Sequence, residues 1–545
     1  MSDAITADQP SVPGGPSPAQ RLLGALKSPG ILAGLVVCFA VIPLGFVIVN
    51  SAGLSTSQWA GLWSNRLPEL LGNTLSLALL VALFSFLFGV SSAWLVVRRK
   101  FFGRRLASWL MVLPLTIPTY VFAHIYTVML EDDGWLAQAW VGIFGNAVAV
   151  PDIYNVAGAT FVLSLAGFSY IFLLVRIALQ TGSVGMEEAG RIHGFSARVV
   201  FWRINLPLLR PAIAAGLAVV VLHVLSDFGA VSMLRFQTFT LSIYLQMSGR
   251  FDYQGAAGLS LVLVLLSLSF LILERFFRRK QRYYDLGMPS RPAEARPASP
   301  LEQILIWCWI GIIATLGFIL PMAWIITWSW DAWQMGQIDV EFWGYVINSV
   351  GVAISVAVIT VVLALPIAFY HVRRPSLLSE TSLQLSSVGF VLPGPVIALG
   401  ILVFALAVFP SWYGGFTVLI MALVIRFLPL AVQAEDAALQ LVTPSVEQAG
   451  RIFGAGPLEN LRRVVLPMIR GGLAGAWVLV FIDAMKELPA TLILRPTGFD
   501  TLPVRIWIEA SEEMLELAAP SALMLVLATL PALWIMLRSS QPRHQ

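Results

Sequence analysis

Twelve stretches of mainly apolar residues dominate this 545-residue chain and limit what it can fold into. They lie near 31–51, 72–97, 107–130, 156–181, 208–230, 255–274, 303–328, 347–372, 384–409, 414–435, 469–489 and 515–537. A helix needs about 20 such residues to cross the hydrocarbon of a bilayer. None of the runs alternates as a barrel strand does, and only helices and closed barrels satisfy their backbone polar groups in lipid. The expectation is an all-α polytopic membrane protein seated in a lipid bilayer. Composition agrees, with 58% hydrophobic and 12% charged residues against about 25% charged in soluble domains. Cys38 and Cys308 both fall inside apolar runs, so no disulfide framework is expected. Residues 1–30 carry Pro10, Pro13, Pro16, Pro18 and Pro29 without the layout of a signal peptide. They read as a disordered cytoplasmic tail, with 539–545 as a second tail.

Basic residues set the orientation. Arg98, Arg99, Lys100, Arg104 and Arg105, the run from Arg275 to Arg282, and Arg373-Arg374 fall between spans on one side. Glu131, Asp132, Asp133, Asp152, Asp331, Asp339 and Glu341 fall on the other. The positive-inside bias then puts both termini in the cytoplasm. A basic, Pro-rich stretch, 278–300, reads as a linker between a first half, 31–277, and a second half, 301–538. Asn73 and Asn348, Arg98-Arg99 and Arg373-Arg374, and Pro118 and Pro393 all pair at an offset of 275. Two parallel six-span halves predict a pseudo-twofold axis along the membrane normal.

One polar stretch occurs twice, at 186–207 (MEEAGRIHGFSARVVFWRINLP) and, 260 positions on, at 446–467 (VEQAGRIFGAGPLENLRRVVLP). Glu187, Ala189, Gly190, Arg191, Ile192, Gly194, Arg203, Leu206 and Pro207 are identical to their counterparts. Acidic residues suit the start of a first short helix, and Gly194 and Gly454 allow a turn with positive φ. A second short helix, about 196–205 and 457–465, is expected to end at Pro207 and Pro467. The orientation rule needs Arg and Lys but not this Glu and Gly pattern. Membrane anchoring on both sides argues against nucleic acid as the partner.

The Glu-Ala-Gly start, the Gly six residues after the Glu, and the later Leu-Pro resemble the EAA loop of ABC importer permeases. The resemblance covers about 70–274 and 345–538, and is to the fused, two-half type. It implies a permease subunit whose loops each seat a coupling helix on a separate ATPase. Two ATPase copies on the cytoplasmic side and a periplasmic or extracellular solute-binding protein are the implied partners. The implied docking residues are Glu187, Glu188, Ala189, Gly190, Gly194 and Pro207, then Glu447, Gln448, Ala449, Gly450, Gly454 and Pro467. The second loop departs from the pattern by carrying Gln448 where the first has Glu188, with Glu447 as a possible substitute. No Gly-x-x-x-x-Gly-Lys-Ser/Thr phosphate loop is present. ATP and magnesium are therefore expected on the partner, with no cofactor in this chain and no catalytic residues.

Two further stretches, Ser226-Asp227-Phe228-Gly229-Ala230 and Lys486-Glu487-Leu488-Pro489-Ala490, also align at 260, as do Arg235 and Arg495. With their flanks they are similar to ferric iron permeases, and less so to thiamine and polyamine permeases. Ionisable groups near spans usually face a cavity or a partner. Asp227 and Glu487 are expected to face each other across the axis, where two carboxylates would suit ferric iron. The competing expectation is local pairing with Lys486, Arg235 or Arg495, or the holding of helix ends at Gly229 and Pro489. Arg426 is expected to pair with Glu435 or Asp436, or to snorkel, ahead of contacting substrate. The five histidines lack metal-ligand spacing, so no metal site is assigned. An ion-gradient-driven secondary transporter is the alternative class, and it leaves the repeated polar loop without a role.

Overall fold

The computed structural model describes residues 29–131, 133–181, 190, 192–279, 295–440, 442–512 and 514–539. The tail up to residue 28, most of the expected linker, and Glu187, Glu188 and Ala189 lie outside the described residues. Among the described residues, nine helices are long and apolar enough to cross a bilayer. Three more spans form only when a bent helix pair is counted as one, which brings the total to twelve.

Two of those bent spans turn through about a right angle or more. The third, Arg104–Thr116 with Thr119–Leu130, turns by 94°, and the ninth, Leu377–Val391 with Gly394–Val408, by 110°. The cause is the proline pair. A residue before proline is pushed out of the helical region, and Ile117 (φ −92°, ψ 123°) and Leu392 (φ −88°, ψ 129°) are both extended. Pro118 and Pro393 then adopt nearly identical dihedrals, φ −62°, ψ 150° and φ −61°, ψ 150°. The two halves therefore break in the same way at the same place.

Pro207 and Pro467 do the opposite of what was expected. The second short helix does not stop at them but runs on into the fifth and eleventh spans, Phe201–Ser226 and Pro457–Met485. A proline ring inside a helix clashes with the carbonyl four residues back and supplies no N–H. Here the preceding turn opens to π geometry, with the N–H of Leu206 donating to the Phe201 carbonyl and that of Leu466 to the Leu461 carbonyl. The same device precedes Pro321, where the Leu320 N–H reaches the Thr315 carbonyl.

Packing crosses the boundary between the halves. The first span, Pro29–Ala40 and Ile42–Ala52, lies against Val340–Arg373 and Gly394–Val408 of the second half. The seventh span, Pro300–Gln334, returns the exchange. Its Trp309 Nε1 donates to Ser91 Oγ at 3.1 Å, and its Leu316 carbonyl accepts from Tyr126 Oη at 2.5 Å. The end of the linker is pinned as well, Arg99 pairing with Arg296 and Lys100 with Pro297 in a short parallel β pair.

One core group works against the fold. Glu435 in the tenth span is fully buried, and neither carboxylate oxygen has a hydrogen-bond partner among the described residues. Its counterpart 260 positions earlier is Val175. An unsatisfied buried polar group costs about 1–3 kcal/mol. Glu435→Val should therefore raise the apparent melting temperature of the detergent-purified protein, and a fall would contradict this account of the site.

Candidate functional site

The broken spans meet the ends of the fifth and eleventh spans near the middle of the molecule. In the first half, Asp227 follows the last residue of the fifth span, and its Oδ1 accepts from the Ala230 N–H (2.9 Å) and the Val231 N–H (3.4 Å). Its Oδ2 accepts from Thr119 Oγ1 at 2.5 Å, just past the Pro118 break. In the second half, Glu487 accepts from the Ala490 and Thr491 N–H groups, both at 3.1 Å, and from Thr491 Oγ1 at 3.0 Å. Each carboxylate thus caps a short helix, Gly229–Met233 or Pro489–Leu494. Space beside the second cap is tight, since a Cβ on Gly394 would stand 2.7 Å from Pro489 and 3.0 Å from Glu487 Oε1.

A cavity of about 170 Å³ lies between the breaks and is lined from both halves. The first half contributes Tyr170, His223 and Asp227, and the second Arg426, Asp483, Lys486 and Glu487. Asp227 and Glu487 therefore share a cavity while also holding helix ends. Arg426 does not meet Glu435 or Asp436; its Nε lies 3.6 Å from Glu487 Oε1. Asp436 instead holds His371 Nδ1 at 2.6 Å. Lys486 pairs with Asp483 at 3.2 Å, Arg495 with Asp500, and Arg235 lies over the Tyr154 ring.

Tyr170, His223 and Asp483 were missed by sequence reasoning. His223 Nδ1 faces the Val219 carbonyl at 3.0 Å, which can only accept. In the neutral ring Nε2 then carries the lone pair and accepts from Tyr170 Oη, 3.3 Å away. The available signal was positional, since His223 and Asp483 are counterparts at the 260 offset and both are polar within apolar spans. Among the described residues, no three His, Cys, Asp or Glu side chains converge closely enough to hold a metal.

The second polar loop shows why its sequence repeats. Helix Pro444–Ile452 ends where the Ala455 N–H donates to the Gly450 carbonyl at 3.1 Å, and the Phe195 N–H reaches the Gly190 carbonyl at 3.0 Å in the first loop. This bond pattern needs a left-handed residue just before its donor. Gly194 (φ +79°) and Gly454 (φ +86°) fill that position. A Cβ on Gly190 would stand 2.6 Å from Ile204, and one on Gly450 2.4 Å from Asn460, so both glycines admit the following helix.

Glu447 corrects an expectation. It is turned inward and buried, bonded to Arg373 Nε at the end of the eighth span, so it is not available as an exposed docking group. Gln448 is exposed beside it. Large apolar side chains project with it: Ile192 is 84% exposed, Ile452 83% and Phe453 90%. The identity of Ile192 and Ile452 was the sequence signal for them.

Two interlocked six-span halves around a shared cavity define a multi-pass membrane transport protein. Residues 85–283 and 358–541 match the family described as binding-protein-dependent transport system inner membrane component, and the chain belongs to that family. It is 31% identical over 503 residues to the Fe(3+)-transport system permease protein FbpB 2 of Haemophilus influenzae, covering 91% of this chain and 94% of that protein. A second relative, the ferric transport system permease protein FbpB of Actinobacillus pleuropneumoniae, is 25% identical over 78% of this chain and 64% of its own length. The molybdenum transport system permease protein ModB of Escherichia coli is 29% identical over 92% of its length but only 38% of this chain. That match is the size of one half, as expected for a chain that joins two permease units.

Removing one partner of a buried ion pair costs about 3–5 kcal/mol because the other charge is stranded. Arg373→Met should therefore lower the apparent melting temperature sharply. The double variant Arg373→Met, Glu447→Leu should recover most of the loss.

Proposed function

We propose that this chain is the permease of an ATP-driven importer that carries ferric iron from a binding protein to the cytoplasm. The observation that carries this proposal is the match, along nearly the whole of both chains, to a relative named for Fe(3+) transport. The positive-inside bias supports a cytoplasmic side for both termini, and the family's description supports a bacterial plasma (inner) membrane. Two copies of an ATPase, using ATP and magnesium, would sit under the two Gly-turned loops.

Each loop is joined to its span through a continuous helix, so a displacement of the loop is delivered to the fifth or eleventh span and thence to Asp227 or Glu487. ATP binding would draw the loops together and open the cavity outward, and hydrolysis would reverse it. Asp227, Glu487, Arg426 and Lys486 would line the route. Their charges nearly cancel, which favours brief residence of a cation over capture, since conduction requires that the ion can also leave.

Two measurements test this. In proteoliposomes holding the chain with its ATPase and binding protein, labelled ferric iron should accumulate on addition of ATP while thiamine does not. Uptake of thiamine alone would overturn the substrate assignment. Ile452→Ser with Phe453→Ser should abolish co-purification of the ATPase on one side, leaving about one copy per permease. Retention of two copies would place the contact elsewhere.

A further inference from the structure

We propose that Lys486 is a one-sided latch, by which the second half grips the broken third span of the first half and keeps the central cavity closed. The grip is a consequence of Pro118. Leu115 lies in a 3₁₀ turn, Leu113–Thr116, whose next partner for its carbonyl would be the N–H of residue 118. Proline has none, and the 94° bend carries the following helix away. A bare carbonyl in a low-dielectric interior is costly. Lys486 Nζ answers it from the other half, at 3.1 Å.

A second partner makes the arrangement reversible. Asp483, one turn back on the same span, stands 3.2 Å from the same Nζ. Lys486 can release Leu115 without becoming an unpaired charge, so opening costs one hydrogen bond and not a buried ion.

The latch exists on one side only. The counterparts of Asp483 and Lys486 at the 260 offset are His223 and Ser226. Ser226 Oγ is spent on the His223 carbonyl of its own helix, at 3.2 Å, and is too short to cross. The pseudo-twofold relation therefore fails at the contact that must break for the cavity to open. The first half's third span is held by its partner, while the second half's ninth span has no matching lysine. At this contact Lys486 is a positioning residue, acting through the Leu115 carbonyl, in addition to the charge it lends the cavity.

Thiol labelling tests the latch without any substrate, so its failure is separable from failure of the ferric assignment. Ser226→Cys, which lines the cavity, is introduced after Cys38 and Cys308 are replaced by serine. The full complex is reconstituted and exposed to a membrane-impermeant maleimide with and without ATP. In the nucleotide-free state, Lys486→Met should raise the labelling rate about tenfold, the factor expected for losing one charge-assisted hydrogen bond. ATP should then add little further increase, although it accelerates labelling in the parent. Lys486→Arg, which keeps a donor, should stay near the parent rate, and Lys486→Gln serves if the methionine variant assembles poorly. Equal rates in the parent and the methionine or glutamine variant would overturn the proposal, as would an undiminished response to ATP.

Discussion

Backbone polar groups have no water to turn to inside a bilayer, and two prolines deny this chain the helical solution at its centre. The Pro118 and Pro393 breaks leave helix ends in the protein interior, and the polar residues around them answer those ends. Asp227 and Glu487 take up the free N–H groups of the short helices that follow the fifth and eleventh spans. Thr119 ties the first break to Asp227, and Lys486 meets the carbonyl that Pro118 strands. The cavity is the space left between elements that cannot close on one another as straight helices would. The cavity and its structural supports are thus made from the same residues.

The halves agree in backbone and differ in charge. The dihedrals at the breaks, the π turns before Leu206-Pro207 and Leu466-Pro467, and the positive φ of Gly194 and Gly454 recur in both halves. So do the clamps by Asn73 on the Gln237 carbonyl (3.0 Å) and Asn348 on the Asp500 carbonyl (2.9 Å). Yet Ala166, Val175, His223 and Ser226 become Arg426, Glu435, Asp483 and Lys486 in the second half. A permease built from two identical chains could not place a lysine opposite a serine in this way. Joining the halves frees one of them to carry the charges.

Much of this was legible in the sequence. Span number follows from hydrophobic length, and the 260 and 275 offsets exposed the repeated loops, the proline pair and the asparagine pair. Membership of the family follows the Glu, Gly and Pro spacing. What escaped had physical causes. Pro118 and Pro207 are both prolines in apolar surroundings, but one bends its span by 94° and the other is absorbed in a π turn. The outcome depends on whether neighbouring elements supply partners for the freed backbone groups, which lies beyond any local window. Glu447 resembled a docking group because its charge was visible, whereas its inward direction was set by Arg373, 74 positions away. Exposed Ile452 and Phe453 looked like ordinary apolar residues until their surroundings were known. Arg426 found Glu487 across a distance no periodicity could span.

The central claim is that the cavity between the two breaks is the route through the membrane, worked by the loops at one end. Leu430 lines that cavity from the tenth span. In the cysteine-free protein carrying Leu430→Cys, attaching a bulky thiol reagent and then measuring ATP-driven uptake of ferric iron tests the claim directly. Uptake should stop while ATP hydrolysis continues, because the route is plugged and the loops are untouched. Undiminished uptake through a fully modified protein would contradict the account.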